Sequence, residues 1–157
     1  MDESPPPLKA PVRDALRARL RGSTLLPGDP EYDSARRVWN GAIDRRPSCI
    51  VRCADAEDVS HAVRIAADSG LKMTIRGGGH NVAGRSVGDG KLLLDLSGLR
   101  QVTVNRESRI TNVQGGALWR DVDAASAAEG LATTGGLISS TGVGGLTLGG
   151  GAGWLMR

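Results

Sequence analysis

Residues 49–80 read CIVRCADAEDVSHAVRIAADSGLKMTIRGGGH. The stretch opens on a short β-type run, residues 49–52. Asp55 follows at a position suited to cap a helix. Val59, Ala62, Val63, Ala66 and Ala67 then recur at i, i+3, i+4, i+7 and i+8, which places them on one apolar helical face. Asp55 and Asp58 resemble a capping box with Asp in place of Glu, and Gly70 stands where a C′ glycine ends a helix. Residues 72–76 form the next strand and run straight into Gly77-Gly78-Gly79-His80. Strand, helix, strand in this order is a unit of α/β type.

Outward from that unit the elements stay short. Residues 92–96, 101–105 and 109–114 read as three further strands. Gly115-Gly116 leads into a helix with apolar Leu118, Val122, Ala125 and Ala128, closed by Gly130. Upstream, residues 12–20 carry Val12, Ala15, Leu16 and Leu20 on one face of a short helix. Pro27-Gly28-Asp29-Pro30 is a turn, and residues 32–40 suit another short helix bearing Val38 and Trp39. Pro5, Pro6, Pro7 and Pro11 make residues 1–11 loose or extended. The expected organisation is an N-terminal lead-in over residues 1–46 and a domain over 47–157. The expected fold is α+β, with short strands in small sheets flanked by helices.

Composition sets the outer bounds. A chain of 157 residues suits one domain and can bury a core. Hydrophobic residues at 39% and charged residues at 24% exclude a disordered tail or a coiled coil. No apolar run approaches the ~20 residues of a membrane span. The start, Met1-Asp2-Glu3-Ser4-Pro5-Pro6-Pro7, is acidic and proline-rich, unlike a secretory signal, so a cytoplasmic protein is expected. A formal charge of +3 with 17 dispersed arginines gives no basic block for nucleic acid. Cys49 and Cys53 are the only cysteines; two thiols without a histidine pair make no zinc site, so no metal is expected and both read as small residues beside a buried strand. Glycine is the outlier, 23 of 157 residues against an average of about 7%.

Two glycine-rich segments could carry chemistry. In Arg76-Gly77-Gly78-Gly79-His80-Asn81, successive bare N–H groups can form an anion nest suited to a pyrophosphate. One glycine suffices for a turn, so three in a row before a histidine favour a ligand loop. The second segment, residues 135–153, holds nine glycines in nineteen positions. Neither contains G-x-x-x-x-G-K-[ST] or G-x-G-x-x-G, so P-loop and Rossmann readings are weak. Of the two histidines, His61 lies off the apolar stripe of its helix and reads as solvated. His80 sits beside the nest, where an imidazole can act as a nucleophile toward an electrophilic cofactor.

Taken together, Arg76-Gly77-Gly78-Gly79-His80-Asn81-Val82-Ala83-Gly84, Leu93-Leu94-Asp95-Leu96-Ser97 and Gly144-Gly145-Leu146-Thr147-Leu148-Gly149-Gly150-Gly151 with Gly153-Trp154-Leu155 resemble the FAD-binding (PCMH-type) domain of the vanillyl-alcohol-oxidase kind. The closest branch is the berberine-bridge-enzyme-like FAD-linked oxidoreductases. Pro27-Gly28-Asp29-Pro30, Tyr32 and Trp39-Asn40 also fit its lead-in, so the resemblance covers about residues 25 to 157. It implies FAD as cofactor, with residues 76–81 around the pyrophosphate and residues 135–151 along the ribityl chain and isoalloxazine. His80 matches the histidine bonded to the flavin 8α-methyl group. The cysteine that makes a second bond in many relatives is matched by Ile138, which implies a single link. Leu146 stands where doubly linked relatives often have His, and Thr141 near the flavin where oxygen access is influenced. The cofactor set is thus Arg76, Gly77, Gly78, Gly79, His80, Asn81, Gly84, Gly136, Thr141, Gly144, Gly145, Leu146, Gly149 and Gly150.

The family's enzymes are several times longer, and their general bases lie beyond the matched segment. The sequence is therefore expected to be the N-terminal, truncated portion of such a domain, with no catalytic base of its own. In the complete enzyme a small-molecule C–H would pass hydride to flavin N5, and O₂ would reoxidise the flavin. The alternative is a non-catalytic fragment that binds FAD or another phosphate-bearing ligand. An end near Trp154 and Leu155 is expected to leave apolar surface uncovered.

Overall fold

A computed structural model describes residues 7–155. The extended reading of residues 1–11 falls outside the described residues up to residue 6 and gives way to helix at Ala10 and Pro11, since proline suits the first turn of a helix; Met156 and Arg157 also lie outside the described residues. Strand β1 (Ser23–Leu25) pairs antiparallel with β2 (Cys49–Arg52), and β2 pairs in parallel with β4 (Leu92–Asp95). Strand β3 (Met73–Arg76) lies on the far side of β4, also parallel, so the order is β1-β2-β4-β3. The two central strands explain the near-continuous apolar runs, since each is covered on both faces. Cys49, Val51, Leu92 and Leu94 face α1 (Ala10–Arg19) and α3 (Ala56–Asp68), packing on Leu16, Ala62, Ile65 and Ala66. Ile50 and Leu93 alternate to the other face, against Tyr32, Ala35 and Val87. Both cysteines are buried and free, as small strand-side residues should be.

Helix α3 carries the capping that its sequence specifies, with one change. Asp55 accepts a hydrogen bond from the Asp58 N–H at 2.9 Å. The reciprocal half of the box is absent, because the buried Asp58 carboxylate accepts instead from the N–H groups of Arg21, Gly22 and Ala54, each at 2.9 Å. At the other end Gly70 takes φ +66°, and the N–H groups of Gly70 and Leu71 reach the carbonyls of Ala67 and Ala66, a Schellman ending.

The segment expected as a helix over 32–40 is helical only in α2 (Tyr32–Ala35). The carbonyls of Ala35 and Arg37 are taken by the Arg76 guanidinium, and the Trp39 N–H donates to the Gly79 carbonyl. These tertiary bonds divert the chain toward the glycine loop. Strands β5 (Val102–Asn105) and β6 (Ile110–Val113) form a separate antiparallel pair, reversed at Arg109 with φ 54°. Helix α4 (Trp119–Ala128) packs on this hairpin through Trp119 and Val122, with Ala117 just before it in the same cluster. Arg100 forks onto Asp121 at 2.6 and 3.0 Å, while Asp121 accepts from the Leu118 N–H. Part of the second glycine segment is helical after all, as α5 (Val143–Gly149). Val143 is the reason: its side chain is buried with Trp119 and Val122, and its N–H donates to the Ala117 carbonyl.

Candidate functional site: a groove between the glycine loop and the second glycine segment

Strand β3 ends at Arg76, and residues 77–81 leave the sheet as an irregular loop. Gly78 meets the start of α5 backbone to backbone. A Cβ at Gly78 would lie 2.6 Å from the Gly142 Cα, so only glycine permits this crossing. Gly79 adopts φ +69°, a conformation open to glycine. The two segments enclose a groove of ≈ 460 Å³, within the usual size of a ligand pocket.

Ten of the fourteen residues singled out by sequence line this groove. Gly77, Gly78, Gly79, His80 and Asn81 form one wall; Thr141, Gly145, Leu146, Gly149 and Gly150 form the other. Four lie elsewhere. The Arg76 side chain turns inward, 10% exposed, and pairs with the buried Asp95 at 2.6 Å. Its remaining donors go to Ala35 and Arg37, so it anchors the loop and presents no charge to the groove. Gly84 forms a turn at φ +66° packed against Ile43. Gly136 lies against Trp119, beside a separate cavity of ≈ 260 Å³. Gly144 opens onto another, of ≈ 610 Å³, between β6, α4 and α5. That cavity is larger but contains neither histidine, and the Trp119 Nε1 buried at its edge has no hydrogen-bond partner among the described residues.

Several residues around His80 and its groove carry no signal in the sequence. The Trp39 indole stacks on the imidazole, with centroids 5.3 Å apart and planes at 20°. Ser140 Oγ lies 3.3 Å from His80 Nε2. Arg85 and Ser86 complete the far wall, and Ser86 Oγ is buried without a partner among the described residues. No periodicity marks these positions; they arrive through loop geometry.

The lining favours an anionic ligand with a flat apolar part. Among the described residues it includes Arg85 and His80 but no carboxylate. No described residue accepts a hydrogen bond from the backbone N–H groups of residues 77–81, a run of donors pointing to an anion. A family model described as an FAD binding domain matches residues 47–157.

The chain belongs to this FAD-binding-domain family.

It is 35% identical over 136 residues to (R)-6-hydroxynicotine oxidase of Paenarthrobacter nicotinovorans, covering 87% of this chain and 30% of that protein. Its fold matches the structure of BBE-like 1 from Physcomitrella patens with a TM-score of 0.82 at 28% identity, covering 91% of this chain and 31% of that one. The glucooligosaccharide oxidase of Acremonium strictum, whose FAD is 6-S-cysteinyl and 8α-N1-histidyl, matches with a TM-score of 0.77 at 27% identity, covering 90% and 30%. The chain therefore spans about three-tenths of the length of these relatives. The expected PCMH-type α+β fold and the berberine-bridge-enzyme-like relationship both hold.

The residues present fit FAD on their own terms. The unpartnered N–H run suits a pyrophosphate, and the flat glycine surfaces at Gly145, Gly149 and Gly150, where a Cβ would meet nothing within 4 Å, suit a planar ring. Among the described residues no group of three His, Cys, Asp or Glu could hold a metal ion, and no helix is long and apolar enough to cross a membrane.

Proposed function

We propose that residues 77–81 hold the FAD pyrophosphate through their backbone N–H groups, with the flavin lying toward Thr141, Gly145 and Leu146. The observation that carries this reading is that residues 77–81, whose N–H groups no described residue takes up, line a groove with no carboxylate among the described residues, in an FAD-binding domain. Arg85 adds positive charge at the rim. When bound, FAD supplies hydride acceptance from a substrate C–H and reoxidation by O₂, in a protein of the relatives' length acting on a small organic molecule. The chain's own part is orientation and charge compensation.

The cofactor is bonded singly, through His80. His80 would hold the cofactor through a ring nitrogen bonded to the 8α carbon, with one 8α hydrogen and the imidazole hydrogen lost as protons and the electron pair taken up by dioxygen as hydrogen peroxide. Ile138, exposed on the turn before Ser140, offers no thiol for a second bond. The test is the absorption spectrum of acid-precipitated protein after incubation with FAD. Flavin should stay in the wild-type pellet and leave the His80→Ala pellet. Flavin retained in the His80→Ala pellet would refute the assignment.

A second reading is that these 157 residues hold FAD without turnover. The groove favours it, since no carboxylate lines it among the described residues. Steady peroxide production on addition of an oxidisable small molecule would exclude that reading.

A further inference from the structure

Trp39 lies outside the segment matched by the family model, yet it covers one face of His80. Its placement is built. The Trp39 N–H donates to the Gly79 carbonyl at 3.2 Å. Next to it, Asn40 Nδ2 donates to the Val82 carbonyl at 2.8 Å, and Asn40 Oδ1 accepts from the Ala42 N–H. Two residues upstream, Arg76 holds the Arg37 carbonyl at 3.0 Å. Residues 37–40 thus clasp the glycine loop on both sides of His80. The indole remains 64% exposed, so core burial does not account for its position. An imidazole at the end of a glycine-rich loop otherwise has two free side-chain torsions, and reacting atoms misplaced by about 1 Å can cost about 100-fold in rate.

We infer that Trp39 and Ser140 are positioning residues for His80: the indole fixes the plane of the ring, and the Ser140 hydroxyl takes up Nε2 as acceptor of its N–H, which leaves Nδ1 to bond the cofactor. The inference rests on the FAD reading for its purpose, but the ring placement stands without it. Stacking restrains the plane, and the Ser140 contact selects which ring nitrogen faces the hydroxyl. Stacking alone would leave the ring free to present either nitrogen.

The test uses the full chain in two measurements. The first is NMR of the histidine rings without cofactor; only His61 and His80 contribute, and His80→Ala assigns them. The His80 ring protons should lie upfield of those of His61, return toward them in Trp39→Ala, and stay partly shifted in Trp39→Phe. The ring ¹⁵N shifts should show the Nε2–H tautomer, and a mixture in Ser140→Ala. The second is the rate at which added FAD becomes acid-stable. Trp39→Ala should slow it about 10–100-fold with reversible FAD binding unchanged, and Trp39→Phe should recover most of the rate. In Ser140→Ala the linkage should spread from Nδ1 to both nitrogens. Coincident His80 and His61 shifts in the wild type, or equal incorporation rates in wild type and Trp39→Ala, would overturn the inference. A wild-type chain that takes up no flavin refutes the FAD reading instead, and the ring shifts then decide the placement alone.

Discussion

Alanine at Gly78 and alanine at Gly145 add the same methyl group to opposite walls of one groove, with opposite consequences for stability. At Gly78 the new carbon would stand 2.6 Å from the Gly142 Cα. Carbon atoms in contact sit at about 3.5–4.0 Å, so the two chains must part by about 1 Å. The neighbouring Val143 N–H bond to Ala117, 2.9 Å long, and the bridge between Leu118 and Gly142 lie on the moving segment. Overpacking of this kind costs about 1–3 kcal/mol, which lowers Tm by about 2–12 °C for a chain of this size. At Gly145 the carbon meets nothing within 4 Å, and the residue lies inside α5. Replacing a helical glycine by alanine stabilises by about 0.5–1 kcal/mol, or about 1–4 °C, while the methyl group intrudes on the groove. Differential scanning fluorimetry and FAD titration on both variants check this. Gly78→Ala should lose stability and FAD affinity together; Gly145→Ala should lose affinity alone. A Gly78→Ala chain as stable as wild type, or a Gly145→Ala chain with undiminished affinity, would refute the packing argument.

Asp95→Asn should be severely destabilising. It removes the negative charge and one of two acceptor oxygens facing a guanidinium that is 10% exposed, a loss worth about 3–5 kcal/mol, read as a fall in urea midpoint with unchanged m-value. Acid should destabilise the chain in a window set by its depressed carboxylates. Burial pushes the Asp58 carboxyl up, but the N–H groups of Ala54, Arg21 and Gly22 and the Arg21 charge outweigh it and hold the group below the usual range; the Arg100 hydrogen bonds do the same for Asp121. A group whose folded pKa lies below its unfolded value of about 3.9 contributes stability above that pH and loses it as pH falls through the folded value. Tm should therefore drop below about pH 4, with a shallower slope in Asp58→Asn; a flat profile would contradict the assignment. Burial pushes the Cys49 and Cys53 thiols up to about 12. Both should resist thiol reagents at pH 8 in the native chain and react fully in denaturant, and rapid native labelling would place them outside the core.

The strand–helix–strand unit was legible because each local signal agreed with the others. The apolar face of α3, the Asp55 cap and Gly70 at C′ all pointed to one helix between two strands. Strands β5 and β6 and helix α4 were legible as elements, though the pairing of the two strands was not. Strand β1 was not, because Ser23, Thr24 and Leu25 are too few to show a period and owe their strand to pairing with β2. Helix α5 contradicted its glycine content; burial of Val143 against Trp119 overrode propensity. At the site, the glycine loop and His80 were readable from composition and order. Arg76 was expected within the loop around the pyrophosphate, and only the fold shows its guanidinium held by Asp95 beneath it. Trp39 and Ser140 stand 41 and 60 residues from His80 in sequence, a separation that no local pattern bridges.

The FAD site is tested most directly by the visible spectrum of the purified chain after incubation with FAD and gel filtration. A yellow chain carrying stoichiometric flavin, with the colour lost in Gly145→Ala, is the expected result. A folded wild-type chain that emerges colourless would contradict the account.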